Sequence, residues 1–465
     1  MLMRTFLLAA SILTLANCSS GKDKENDDTP GAADVVLPSG KTVPADLPLS
    51  PTFHFSDVEA LAQSTASDED VQARIDAANE FHFSLMSSVA SDATKGNVVS
   101  SPLSVQAAFA LLYPAITPDA AAGQQMAVAL GFDADQETFH AAMHGQLRAI
   151  DEAFVAPTIE TEEGEVSATL KYELVNQVWA DDAFGLQAEF KDTIKRYYNS
   201  GVGSLPLRAE SELSRQTING FVEHNTQQLI KDLLPAGVID GNTAAVLTNS
   251  IYMLADWQIP FSESSTASGT FANADGTSAT VAMMKGSAEH GYVETTDFSA
   301  VSLSYAGGKL AMLLVLPTNA NGFADFATAF DQTDFRAAID GLSGREVTLT
   351  LPKFAFEWSS SLKDGLQTMG MTAVFEPNAN HFSRLLTEGD APYGGKTWIQ
   401  DVVHKAKIIV NERGTEAAAA TAVVIGAEDS AADEPVVFTV DRPALFFVYE
   451  RAHGAIVFAG RLAQL

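Results

Sequence analysis

Between residues 403 and 421 the chain reads Val403-His404-Lys405-Ala406-Lys407-Ile408-Ile409-Val410-Asn411-Glu412-Arg413-Gly414-Thr415-Glu416-Ala417-Ala418-Ala419-Ala420-Thr421. The first part alternates: Val402, His404, Ala406, Ile408 and Val410 fall on one side, which predicts a half-buried strand ending at Glu412. A run of small residues follows, without proline until Pro435. Proline would remove a donor from a sheet ladder, so this run is able to become a strand itself. Its alternate set, Thr415, Ala417, Ala419, Thr421, Val423 and Ile425, is small or aliphatic throughout. Glu416 falls on the other, wet side, and Gly414 supplies a pivot where the chain reverses. Taken alone, Ala417 to Ala420 also reads as a helix-forming patch, so the flanking sequence has to decide.

That flanking sequence alternates too. Leu247, Asn249, Ile251 and Met253 share one strand face, and Val347, Leu349, Leu351 and Lys353 share another. Leu310 to Leu316 is continuously apolar, as suits a strand buried on both sides. Val436 to Val440, Leu445 to Tyr449 and Ala455 to Ala459 add three short strands near the end. The earlier half is helical in pattern. Ile75, Ala78, Phe81, His82, Leu85 and Met86 recur at helical spacing, and Ser101-Pro102-Leu103-Ser104 opens a second helix with proline in its first turn. Ile218, Val222, Leu229 and Leu233 predict a further helix stopped by Pro235 and Gly237. Helices first and strands later predict an α+β body with large, mainly antiparallel sheets.

The chain has 465 residues, 46% of them apolar and 19% charged, with a formal net charge of −31. Such a balance opposes a nucleic-acid surface, which needs clustered Lys and Arg. The single cysteine, Cys18, follows Arg4 and an apolar run from Phe6 to Leu15. That run is too short to span a bilayer and suits the core of an export signal. Leu15-Ala16-Asn17-Cys18 resembles the bacterial lipoprotein box, with Asn17 in place of the usual Gly, Ala or Ser. Residues 1–17 are thus expected to be a lipoprotein signal peptide, and residues 18–70 an acylated cysteine with an acidic, flexible tether. Residues 19–70 carry 11 acidic and 3 basic side chains and five prolines, with little apolar periodicity. Residues 71–465 form the expected globular domain. Its lack of cysteine excludes disulfides and cysteine-based catalysis there.

Enzymatic constellations are missing. There is neither a Gly-x-Ser-x-Gly elbow nor a His-Glu-x-x-His zinc helix. His140 and His144 sit one helical turn apart without a third ligand and read as a solvated face. No metal and no cofactor are expected, and the protein reads as no enzyme.

The segment from Val403 to Thr421, followed by Phe438-Thr439-Val440-Asp441-Arg442-Pro443 and Phe458-Ala459-Gly460-Arg461, closely resembles the serpin family of protease inhibitors. Asn97-Val98-Val99-Ser100-Ser101-Pro102-Leu103-Ser104, Val175-Asn176-Gln177-Val178-Trp179 and Leu247-Thr248-Asn249-Ser250-Ile251-Tyr252 with Trp257 and Phe261 extend the resemblance along the body. It implies a metastable fold of three sheets and eight or nine helices, with an exposed reactive loop, here about 412–435. It also implies that a protease cutting this loop is held as an acyl-enzyme while the loop inserts into the main sheet, and loop insertion of this kind is a general mode of strand addition. The hinge would be Glu412, Gly414, Thr415, Ala417, Ala419 and Thr421. His404 and Asn249, polar residues on apolar strand faces, match the family's shutter pair, with Ser101 and Ser104 beside them. Glu412 and Lys353 match a salt bridge at the top of the sheet, the breach, beside Trp257.

In the family the cut usually falls 16 positions after the residue matching Glu412, which gives Glu428–Asp429. Counting back from Pro443 gives Ala432 instead, because this loop is about four residues longer than usual. The forward count is preferred, since loop length before the cut fixes where a dragged protease ends. Glu428 suits a glutamate-specific serine protease; Ala427, Ala431 or Ala432 would suit an elastase-like or subtilisin-like one. The expected partners are such serine proteases, with cysteine proteases a further class, and a membrane reached through the lipid on Cys18. The expected molecule is a monomer, lipid-anchored at a bacterial cell envelope or secreted. A non-inhibitory serpin-fold protein whose loop is cut as a plain substrate is the alternative.

Overall fold

The structure, a computed structural model, describes residues 33–89, 96–132, 135–161, 164–377, 379–387, 397–415 and 434–465. Cys18, the signal segment and residues 416–433 lie outside these.

The main sheet has the order β16 (Phe354–Ser361), β17 (Val403–Val410), β18 (Gly414–Thr415), β10 (Ala245–Asp256), β8 (Gln177–Asp181), β9 (Val202–Leu205) and β3 (Thr52–His54), with β7 (Leu170–Leu174) also on β10. A second, nine-stranded sheet has the order β19 (Val436–Thr439), β15 (Ser343–Pro352), β12 (Ser278–Glu294), β13 (Phe298–Ser304), β14 (Leu310–Pro317), β20 (Ala444–Glu450), β21 (Ala455–Leu462) and β4 (Val98–Ser100), with β11 (Ala267–Ala272) on β12. The 17-residue β12 runs from one block to the other: residues 278–292 pair with β11 and β15, and residues 291–294 pair with β13. The nine strands are therefore two sheets joined through one strand, which with the main sheet makes three. Two small hairpins, β1 (Val35–Val36) with β2 (Thr42–Val43) and β5 (Thr158–Thr161) with β6 (Gly164–Ser167), complete the described strands.

Nine α-helices surround them among the described residues: α1 (Asp68–Val89), α2 (Pro102–Leu112), α3 (Ala121–Leu130), α4 (Gln136–Ala153), α5 (Ala188–Tyr198), α6 (Ser211–Asn225), α7 (Phe323–Ala329), α8 (Gln332–Asp340) and α9 (Lys363–Thr368). The expected α+β architecture is therefore present. α2 starts as its sequence requires: Ser101 is the N-cap, its hydroxyl accepts from the Ser104 amide, and Pro102 opens the first turn. The apolar run Leu310 to Leu316 is β14, buried along its whole length. Its even positions join Ile251, Ile408 and Phe446 in the core between the sheets. Its odd positions meet Phe323, Phe330 and Phe335 of the helical layer.

Three sequence expectations are corrected. Residues 33–70, assigned to a flexible tether, dock on the body: β3 pairs antiparallel with β9, and Phe53 packs edge-on against Trp179 at 5.6 Å. Leu37, Val43, Leu47, Leu49 and Phe55 join the same cluster over α6. Their apolar spacing follows neither helix nor strand period, so pattern reading passes over them. The helix marked by Ile218 and Val222 stops at Asn225; Gln227 and Gln228 adopt positive φ, and Leu229 and Leu233 lie in irregular chain beyond it. His140 and His144 occupy the buried face of α4, at 1% and 8% exposure. His140 Nδ1 lies 2.5 Å from Tyr198 Oη, and His144 Nδ1 donates to Tyr197 O at 2.7 Å, so both are core histidines with local partners. Among the described residues no cluster of metal-ligating side chains is present.

Candidate functional site

The site is the seam between β10 and β17, two parallel strands that pair at only three positions: Asn249 with His404, Ser250 with Lys405 and Ile251 with Ala406. Below this contact they part around a cavity of about 50 Å³ lined by Leu112, Leu234, Val246, Leu247, Ile399 and Val403. Above it, β18 is wedged between them. Thr415 faces Ala255 on one side and Val410 on the other, antiparallel to both. Two of the hinge residues, Gly414 and Thr415, are thus already part of the sheet.

A tight turn delivers them. The Asn411 amide donates to Gly414 O at 3.0 Å, and Asn411 Oδ1 accepts from the Arg413 amide at 2.9 Å. Gly414 then passes so close to β10 that a Cβ there would lie 2.0 Å from the Ala255 carbonyl oxygen. The glycine is needed for this close approach, which refines its expected role as a pivot.

At the three-residue contact four sequence-predicted side chains meet. His404 and Ser101 are fully buried, as are Ser104 and Asn249. The Ser101 amide donates to His404 Nε2 at 3.2 Å, so Nε2 is an acceptor and the proton sits on Nδ1. Nδ1 then donates to Asn249 Oδ1 at 2.6 Å. The Asn249 amide group donates in turn to Ser104 O at 2.6 Å, Ser104 Oγ at 2.7 Å and Asn176 Oδ1 at 2.8 Å. Ser101 Oγ closes the network by donating to Val457 O of β21 at 2.6 Å. Burial pushes the His404 pKa down to about 4, because a charged imidazole has no water there.

Asn176 is a member that sequence reading did not assign, although its motif was noted. It sits at the break between β7 and β8, where one segment pairs with the upper half of β10 and the other with the lower half. A polar residue at a strand break is the only sign of it in the sequence.

At the upper end, Lys353 Nζ lies 2.8 Å from Glu412 Oε2, and Thr266 Oγ1 donates to Glu412 Oε1 at 2.8 Å. Desolvation pushes the Glu412 pKa up, but the Lys353, backbone and Thr266 hydrogen bonds outweigh it and hold the carboxyl below its usual range. Trp257 locks the same turn: its indole donates to Asn411 O at 3.0 Å and its amide to Arg413 O at 2.7 Å. Strand β17 ends at Val410, two residues before the expected Glu412, because this turn intervenes. The hinge residues Ala417, Ala419 and Thr421, and Ala427, Glu428, Asp429, Ala431 and Ala432 around the expected cut, lie outside the described residues.

Residues 76–465 match the family model described as Serpin (serine protease inhibitor). The chain belongs to the serpin family. It is 30% identical over 372 residues to an uncharacterized serpin-like protein of Methanosarcina acetivorans, covering 79% of this chain and 82% of the relative. With human Serpin B4 it shares 30% identity over 381 residues, or 80% of this chain and 94% of that one. Its fold is similar to the native-state crystal structure of the thermophilic serpin tengpin, with a TM-score of 0.75 and 22% identity, covering 90% of this chain and all of that one. Serpins are in general protease inhibitors rather than enzymes.

Proposed function

We propose that this serpin is an irreversible, suicide-substrate inhibitor of extracellular serine proteases, held at a bacterial cell envelope by a lipid on Cys18. The observation that carries the reading is the position of β18. Gly414 and Thr415 already sit between β10 and β17, and below them the strands are joined by three residue pairs only. Residues 417 to 425 continue the alternation of Thr415 with small or aliphatic side chains, and no proline interrupts them. A strand so composed can follow the hinge into the sheet once its far end is cut.

The chemistry belongs to the attacking protease. Its serine oxygen adds to the Glu428 carbonyl, the bond to Asp429 breaks, and the new amine leaves with a proton, so an ester joins the two proteins. Insertion of about 17 residues at ~3.3 Å each then carries the ester-linked protease roughly 55 Å along the sheet before water attacks. Glu428 directs this trap to glutamate-specific proteases; a cut at Ala427, Ala431 or Ala432 would direct it to elastase-like or subtilisin-like ones.

Incubation with one protease of each type, followed by denaturing gel electrophoresis and mass spectrometry of the released peptide, tests the reading. A covalent complex that survives SDS, with a peptide beginning at Asp429, is the expected result. Clean cleavage without a complex for all three would leave the protein a non-inhibitory serpin cut as a plain substrate.

A further inference from the structure

Tyr305 follows β13 directly and belongs to none of the motifs that carry the family resemblance. Its ring is fully buried and lies flat on Trp257, with centroids 4.5 Å apart and 14° between planes. Its hydroxyl is 2.7 Å from Thr415 Oγ1. Thr415 is itself only 3% exposed, and its side chain reaches this place because the hinge has entered between Ala255 and Val410.

We infer that Tyr305 is a positioning residue for the reactive loop: its hydroxyl latches Thr415 and keeps Gly414 and Thr415 inside the sheet of the intact molecule. The inference rests on the inhibitory reading above and deepens it, because the latch sets how much loop is free to meet a protease. Two hydroxyls inside an apolar core satisfy each other, one donating and one accepting. Withdrawal of Thr415 would strand the phenol, and a buried hydroxyl without a partner is far costlier than a pair of apolar groups of the same shape. Thr415 is held from the side by Tyr305, the turn at Asn411 is tied to Trp257, and the Asn249–His404 contact keeps the strands closed below.

A square of variants tests this. Tyr305→Phe leaves the Thr415 hydroxyl alone, Thr415→Val leaves the Tyr305 hydroxyl alone, and the double variant leaves neither. Tyr305→Phe keeps the ring on Trp257, so the fold has no reason to fail, and Trp257 emission checks this. Hydrogen exchange of the segment containing Asn411 to Thr415 reads hinge withdrawal without any protease. Each single variant is expected to exchange there about tenfold faster, and the double variant no faster than the single ones, because no hydroxyl is left stranded in it. Thr415→Ser, which keeps the hydroxyl, is expected to match the parent. Inhibition rates against the protease trapped by the parent are expected to rise in the two single variants and to rise no further in the double. Unchanged exchange in both single variants, or effects that add in the double, would overturn the latch. If exchange follows the pattern while no form traps a protease, the latch stands and the inhibitory reading fails.

Discussion

Two strand seams at the centre of this serpin are built from opposite materials. β14 pairs over seven positions with β13 and over six with β20, and every residue in it is buried and apolar or proline. β10 and β17 share three positions, occupied by Asn249, Ser250, Ile251, His404, Lys405 and Ala406. Opening the first seam would expose hydrocarbon on both faces and break two continuous ladders. Opening the second exchanges a few directional hydrogen bonds, and a new strand could supply its own. The difference separates a part of the molecule that holds the fold from a part that is held shut.

The sharpest way to break this comparison is to spoil the contents of the cleft while leaving the fold alone. Thr415→Arg places a charge at a buried position beside Tyr305 and Ala255, so the hinge is expected to leave the sheet and the cut loop to stay outside. Covalent complex should disappear on denaturing gels and the protein should be digested as a substrate, while its urea midpoint moves little. Leu314→Ala does the reverse. It opens a cavity between the sheets and is expected to lower global stability by about 2–5 kcal/mol in urea unfolding, with inhibition per folded molecule preserved.

Acid sharpens the contrast next. The His404 pKa is depressed in the folded state to about 4, so between pH 6.5 and 4 the unfolded chain binds the extra proton. Stability from this group is therefore full above pH 6.5 and is lost as pH falls through 4, in total about 3 kcal/mol, of which about 2 is gone by pH 5. Burial also lowers His82 and His140 to about 3, and they add a decline of the same sign that continues to lower pH. Urea midpoints at pH 7 and pH 5 are expected to show this fall, and a His404→Gln variant should show a shallower one. Lys353→Ala is the smallest expected effect. The Lys353 side chain is 41% exposed and Thr266 still holds Glu412, so no more than about 1 kcal/mol is at stake. A modest rise in hydrogen exchange at the Asn411 turn would report it.

How legible these features were in the sequence follows the same division. The continuous run of β14 and the Ser-Pro start of α2 are local patterns, and both appeared as read. His404 and Asn249 stood out as polar residues on apolar strand faces, and Lys353 stood out at the end of one. Tyr305 and Asn176 could not be read in this way: Tyr305 meets Thr415 across 110 positions, and only the fold joins them. The docking of residues 33–70 was missed because its apolar residues answer the irregular surface of α6 and β9 rather than any period of their own. The burial of His140 and His144 is not legible, because a turn-spaced histidine pair looks the same whether water or Tyr197 and Tyr198 lie beyond it.

The central claim is that the intact molecule keeps its loop outside a sheet that would be more stable with it inside. Thermal unfolding of the intact protein and of the same protein nicked once between residues 426 and 432 tests this most directly. The account predicts that the nicked form unfolds at a temperature tens of degrees higher, because the added strand fills the seam between β10 and β17. Equal midpoints, or a lower one for the nicked form, would contradict it.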